Sequence, residues 1–168
     1  EAGVEGPLVA LLAGEEELTG RGVAYCAACD GPFFAGEDVL VVGDDDQAVE
    51  EALTLAQLAR TVTVTMAGRE PDLDEDLAQA AAAQPNLTLR TGLKLDRVLG
   101  QDAATGALFH SADGAAEQFP ATGVFIYLKG NAPATDFLRG ALAADEQGFL
   151  ITDDMCRTSA PGVFAAGD

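Results

Sequence analysis

Residues 38–66, DVLVVGDDDQAVEEALTLAQLARTVTVTM, decide the architecture. Residues 38–43 form a continuous apolar run closed by Gly43, the pattern of a parallel strand buried on both faces. Over 46–59 the apolar positions Ala48, Val49, Ala52, Leu53, Leu55, Ala56 and Leu58 mark one face of a helix, with Glu50 and Glu51 assigned to the other. Thr61–Met66 alternates β-branched residues and reads as a second strand. Strand, glycine turn, helix and strand within about 30 residues make a βαβ unit, which is nearly always right-handed and parallel.

Outward from this unit, a second helix is expected over 73–83, with Pro71 near its start, and a third parallel strand over 87–90. Segments 93–99, 106–110 and 115–119, broken by Gly100, Asp102 and Gly106, read as an antiparallel meander lying on the sheet. Residues 123–128 read as another buried strand. From Lys129 onward the pattern changes to turns, a short helix near 135–139 and a hairpin-like stretch around 148–152. The fold class expected is therefore α/β, with a parallel sheet, helices and an antiparallel meander.

Nine basic residues against 28 acidic ones give a net charge of −19. Such a surface repels nucleic acid and anionic membranes, whose binding relies on Lys and Arg displacing counterions, so neither is expected as a partner. Two readings of the acidity stand side by side: a generic acidic protein, or one adapted to a salt-rich cytosol whose ions screen self-repulsion. No run approaches the roughly 18 apolar residues that span a membrane, and no basic-then-apolar signal opens the chain. A soluble, cytoplasmic protein is expected. The chain starts without Met and ends on the glycine turn Pro161-Gly-Val-Phe-Ala-Ala-Gly-Asp168, so it reads as part of a longer protein.

Three cysteines are too few for a disulfide scaffold in a chain of 168 residues. Two of them form Cys26-Ala-Ala-Cys29, a spacing that lets the sulfurs meet within one turn, while a following helix start can lower a thiol pKa. Zinc would need a second ligand pair, and Cys156 and the sole histidine, His110, are not paired at ligand spacing, so no metal site is expected. A structural pair is the bland alternative, and redox use is favoured. Asp30, directly after Cys29, reads equally as a turn aspartate before Gly31-Pro32 or as a proton carrier for thiol–disulfide exchange. Cys156 is expected to be an inert buried thiol and His110 a surface residue.

Tyr25-Cys-Ala-Ala-Cys-Asp-Gly-Pro-Phe-Phe34, then 38–52, then Thr158-Ser-Ala-Pro-Gly-Val-Phe-Ala-Ala-Gly-Asp168, together resemble the low-molecular-weight thioredoxin reductases. The resemblance runs from about Gly14 to the end, and the Cys-x-x-Cys-Asp-Gly segment is its most specific part. It implies a Rossmann-like three-layer nicotinamide domain, carrying the cysteine pair and inserted into a split FAD domain. On that pattern residues 1–21 are a remnant of the first FAD-domain half, 22–128 the central domain, and 129–168 the start of the second half. Asp168 matches the flavin-contacting aspartate. The FAD-binding glycine turn that precedes these segments in the family is not in this sequence, so this stretch alone is not expected to hold FAD well. The resemblance further implies electron flow from a reductant through FAD to Cys29, attack by Cys26 on the disulfide of a thioredoxin-like protein, Asp30 as proton donor and acceptor, and a homodimer at full length.

The sequence departs from the family where a dinucleotide would sit. The Gly-x-Gly-x-x-Ala turn is represented by Gly43, Asp45 and Ala48. The second glycine lets the backbone approach a pyrophosphate, and Asp45 puts an anionic side chain there. It also caps a helix, worth about 1 kcal/mol. Where NADPH-dependent members carry His-Arg-Arg for the ribose 2′-phosphate, this chain has Met66, Ala67 and Gly68, with Arg69 nearby and Asp72 soon after. Without bidentate Arg–phosphate contacts the basis for choosing NADPH is gone. Weak or lost NADPH binding is expected, with NADH or a protein donor such as ferredoxin as reductant. Two rival readings are a flavoprotein serving another disulfide partner, such as a peroxidase, and a binding module whose cysteines are structural.

Overall fold

The apolar run at 38–42 becomes the centre of a sheet covered on both sides. The computed structural model describes residues 12–69, 73–128, 135, 138, 140–145 and 148–166. The chain divides into two units, the larger being Leu11–Leu128. In chain order that unit contains α1 (Glu15–Leu18), β1 (Val23–Ala24), α2 (Ala27–Asp30), a 3₁₀ turn (Gly31–Phe34), β2 (Asp38–Val42), α3 (Asp46–Ala56), β3 (Thr61–Met66), α4 (Glu75–Ala83), β4 (Leu87–Thr91), β5 (Leu93–Gly100), β6 (Ala104–Ser111), β7 (Ala116–Pro120) and β8 (Gly123–Ile126).

Five strands form a parallel sheet in the order β1-β8-β2-β3-β4. The other three form an antiparallel meander, β5-β6-β7. Side chains of a strand alternate between faces, and this alternation sorts the core into two clusters. Val39, Val41, Phe125 and Tyr127 join Val49, Ala52 and Leu55 of α3 on one side. Leu40, Val42, Val124 and Ile126 join Leu95, Val98, Ala107 and Phe109 of the meander on the other. The result is three layers, helices over parallel sheet over meander, as the sequence leads one to expect.

Local differences have local causes. The helix expected over 46–59 stops at Ala56, because the Asn86 side chain donates to the carbonyls of Ala56 and Ala59, each at 3.0 Å, and closes the helix end. The helix expected from 73 begins at Glu75, where the Asp74 carboxylate caps it by accepting from the N–H groups of Asp76 and Leu77. Strand β8 ends two residues before 128, at Ile126. Three short elements, α1, β1 and α2, have no counterpart in the sequence reading, because two to four residues are too few to show a period. Among the described residues no helix is long and apolar enough to cross a membrane.

In the smaller unit an antiparallel bridge joins Ala144 to Leu150, in the region of the expected hairpin, and another joins Arg157 to Phe164. Most of the short helix expected near 135–139, together with Lys129–Pro133, Pro71 and Asp168, lies outside the described residues.

Candidate functional site

Cys26 follows the edge strand β1 after one residue and is the N-cap of α2, with extended backbone (φ −144°, ψ 107°). The four-residue helix brings Cys29 back over it: the two Cα atoms are 5.3 Å apart and the sulfurs are bonded. The Cys29 N–H donates to Cys26 Sγ at 3.1 Å, and the Asp30 N–H donates to the Cys26 carbonyl at 2.9 Å. Cys26 is half-buried and Cys29 exposed, so exchange partners have access to the bond. Asp30 ends the same helix and lines an open cleft of about 310 Å³ with Thr19, Val23, Tyr25, Phe33 and Phe34. Phe33, four residues after Cys29, is 82% exposed.

Two networks hold this helix from either side. On the N-terminal side the Tyr25 hydroxyl donates to Glu15 Oε1 at 3.0 Å and lies 3.2 Å from Thr19 Oγ1. Glu15 is buried, and its second oxygen accepts the Leu12 N–H at 3.0 Å. Burial pushes the Tyr25 phenol up, and Glu15 adds to that while Thr19 opposes it. On the inner side Glu51 of α3 accepts the Ala27 N–H at 2.9 Å and the Tyr127 hydroxyl at 3.0 Å, both on Oε2. Ala27 is fully buried and Tyr127 is 8% exposed. Burial, then the hydrogen bond and charge of Glu51, raise the Tyr127 phenol well above its ordinary range.

Glu51 corrects the sequence reading, which placed it with Glu50 on the solvent face. It lies three residues after Ala48 and four before Leu55, both fully buried, and so stands on the edge of the apolar stripe. That spacing was the available signal. Glu15 and Tyr127 were likewise missed.

The turn between β2 and α3 gathers Gly43, Asp45 and Ala48. A Cβ on Gly43 would stand 2.5 Å from the Ala48 Cβ, so strand and helix meet too closely for any other residue without a shift. The first turn of α3 already holds an anion: Asp45 Oδ1 accepts the Ala48 N–H at 3.1 Å as the N-cap. Asp44 Oδ1 accepts the Ala67 N–H at 2.5 Å, and Asp46 Oδ1 accepts the Asp74 N–H at 3.0 Å. Of the α3 N-terminal donors that attract phosphate oxygens at such turns, the Ala48 N–H is thus met by the chain's own Asp45 carboxylate, while Asp44 and Asp46 tie the turn to the segments after β3 and before α4. The Asp45 carboxylate thus stands at the N-terminus of α3, where the second glycine of a dinucleotide turn would leave room for a pyrophosphate. At the end of β3, Met66 is fully buried in the core and Ala67, Gly68 and Arg69 are exposed. Arg69 lies within electrostatic reach of Asp113, which is held below its usual range first by the Ser111 hydroxyl and then by the Ala115 N–H.

Two other residues singled out in the sequence are Cys156 and His110. Cys156 is exposed rather than buried, with a left-handed backbone (φ 59°). The Asp153 carboxylate organises that turn by accepting from the N–H groups of Met155 and Arg157 and from Arg157 Nε, which turns the thiol outward. His110 is on the surface, 4.0 Å from Asp96. Among the described residues no group of three or more His, Cys, Asp or Glu side chains is placed to hold a metal ion.

Residues 3–168 match the family model described as pyridine nucleotide-disulphide oxidoreductase. A thioredoxin reductase of Peptoclostridium acidaminophilum is 37% identical over 169 residues, covering 96% of this chain and 53% of that protein. The crystal structure of Lactococcus lactis thioredoxin reductase in its FR conformation superposes with a TM-score of 0.81 at 33% identity, covering 100% of this chain and 54% of that one. A ferredoxin-flavin thioredoxin reductase from Clostridium acetobutylicum superposes with a TM-score of 0.56 at 27% identity, over 94% of this chain and 49% of that one. The chain thus spans about half the length of the relatives it matches. Its disulfide helix, three-layer sheet and these likenesses agree, and the chain belongs to the pyridine nucleotide-disulphide oxidoreductase family, with low-molecular-weight thioredoxin reductases as its relatives.

Proposed function

We propose that these residues are the redox-disulfide part of an FAD-dependent, cytoplasmic thioredoxin-disulfide reductase that works as a homodimer, in which 22–128 form the central domain and 129–168 open the second half of a flavin domain. The observation that carries the reading is the Cys26–Cys29 disulfide, set at the start of a short exposed helix on a nucleotide-type parallel sheet. The electron pair would come from flavin when it is bound. Two protons and that pair convert the disulfide to two thiols. The Cys26 thiolate then attacks one sulfur of a thioredoxin-like disulfide, forming a mixed disulfide and releasing the partner's other sulfur as a thiolate. Cys29 attacks Cys26 Sγ, which restores the original bond and frees the partner's second sulfur. Asp30, on the same helix, is within the local turn to carry protons for these exchanges. The flavin-contacting role of Asp168 rests on resemblance alone.

The same reading favours a donor other than NADPH. Gly43, Asp45 and Ala48 form a tight capped turn, but Asp45 occupies the Ala48 N–H and sets a negative charge where a pyrophosphate would approach, and in the sequence Arg69 is the one cation among residues 66–72, where a 2′-phosphate would be held. The missing arginines leave NADH or a reduced protein such as ferredoxin as the reductant, and of the two the protein donor is favoured, because NADH brings the same pyrophosphate to Asp45.

Trapping tests the function. Cys29→Ser in the intact protein, mixed with an oxidised thioredoxin, should accumulate a mixed disulfide that peptide mapping places at Cys26. Absence of any adduct while wild-type protein, reduced beforehand, also leaves thioredoxin oxidised would overturn the reading. For the donor, calorimetric titration with NADPH should show no binding tighter than the millimolar range, and micromolar affinity in moderate salt would end that part.

A further inference from the structure

The carboxylate of Glu51 is an odd presence at this position. It reaches from α3 to the first N–H of α2, on the residue next to Cys26, and it shares that oxygen with a buried phenol. A neutral side chain would meet the two donors with less desolvation cost. Consecutive Cα atoms are only about 3.8 Å apart, so an anion held on Ala27 lies close to any thiolate formed at Cys26. Like charges at that range disfavour one another.

We propose that Glu51 is a positioning residue for the Cys26–Cys29 couple: it locks the first turn of α2 in place through Ala27 and, by its charge, holds the pair on the strongly reducing side. This rests on the reading of that pair as a reversible couple. The titratable groups that meet at the turn are Glu51 from α3, Tyr127 after β8 and Asp30 on α2. Tyr127 is a donor that spreads the Glu51 charge, so the two side chains act with opposite sign. Removing the charge stabilises the thiolate and hence the reduced pair. Removing the phenol leaves the charge less compensated and destabilises the reduced pair.

The test equilibrates the intact protein with dithiothreitol and its cyclic disulfide in varied ratio. One dithiol passes two electrons and two protons to the protein disulfide and closes to a ring, so atoms and charge balance. Differential alkylation and mass mapping of Cys26 and Cys29 then give the equilibrium constant. Glu51→Gln, which keeps an oxygen acceptor, should shift the constant toward the reduced protein by on the order of threefold to tenfold, tenfold being about 30 mV for this two-electron couple. Tyr127→Phe should shift it the other way. A role confined to folding would lower the unfolding temperature of both variants yet leave the constant unchanged, and that result overturns the proposal. So does a shift of both in the same direction. If the wild-type pair shows no intermediate ratio in any buffer, the couple itself is refuted and this proposal falls with it. A normal wild-type titration with unmoved variants refutes Glu51 alone.

Discussion

The N–H of Ala27 donates to Glu51 Oε2 across 2.9 Å, joining the disulfide helix to the helix of the nucleotide-type turn. Twenty-four positions of sequence separate the two groups, and the Tyr127 hydroxyl shares the same oxygen. Glu51→Ala strands two buried donors. Each unsatisfied donor costs about 1–3 kcal/mol. Chemical denaturation should show a loss on the order of 3 kcal/mol, and Glu51→Gln should recover at least half of it.

Cys156 is exposed while Cys26 and Cys29 are bonded to each other. Treatment of the oxidised protein with a maleimide should therefore label Cys156 alone among these three. After mild reduction all three should be labelled. Mass mapping reads the outcome, and equal labelling of Cys26 and Cys29 before and after reduction contradicts a reversible couple.

Asp45 caps α3, and the same carboxylate carries the proposed barrier to a pyrophosphate. Glycine is nearly as good an N-cap, so Asp45→Gly should cost only a few tenths of a kcal/mol. It removes the negative charge from the turn. Combined with Ala67→Arg and Gly68→Arg at exposed positions after β3, it should raise NADPH affinity at least tenfold and favour NADPH over NADH, since only the former offers a 2′-phosphate to a guanidinium. Fluorescence titration with both nucleotides measures this.

Asp38 and Arg60 pair at 2.6 Å across the start of β2 and the turn before β3, and Thr61 Oγ1 donates to the same carboxylate. The Arg60 hydrogen bond, then that of Thr61, lowers the Asp38 pKa from 3.8 to about 2. A depressed carboxylate stabilises the fold fully above its unfolded value and loses that contribution as pH falls toward the folded one. Asp38→Asn should accordingly be less stable than wild type at pH 6, with the gap closing between pH 4 and pH 2. The gap is small, because both side chains are well exposed and solvent screens the pair. Thermal unfolding across that pH range measures it.

Much of the fold was legible because its signals are local. The continuous apolar run at 38–43 and the β-branched alternation at 61–66 are each read from adjacent residues, and the strands they became differ from expectation by one residue at most. The meander announced itself through three short runs set off by Gly100, Asp102 and Gly106, although β6 starts at Ala104 and runs on through Gly106. Cys156 failed for the opposite reason. Its burial was inferred from residue type, whereas its exposure is set by how the Asp153 carboxylate folds the turn around it.

The amino-acid order alone settles the βαβ unit, the sheet-and-meander class, the Cys-x-x-Cys pair and the anionic character of the dinucleotide turn, because each is written in adjacent or regularly spaced residues. Tertiary structure alone decides that Glu51 supports the disulfide helix and that Glu15 and Tyr25 brace its approach. It also decides that Asp44 and Asp46 accept the N–H groups of Ala67 and Asp74, on the segments that follow β3 and precede α4. These are side-chain bonds to groups far along the chain or off any repeating period. They exist only once hydrophobic burial has stacked the three layers and brought those groups within about 3 Å.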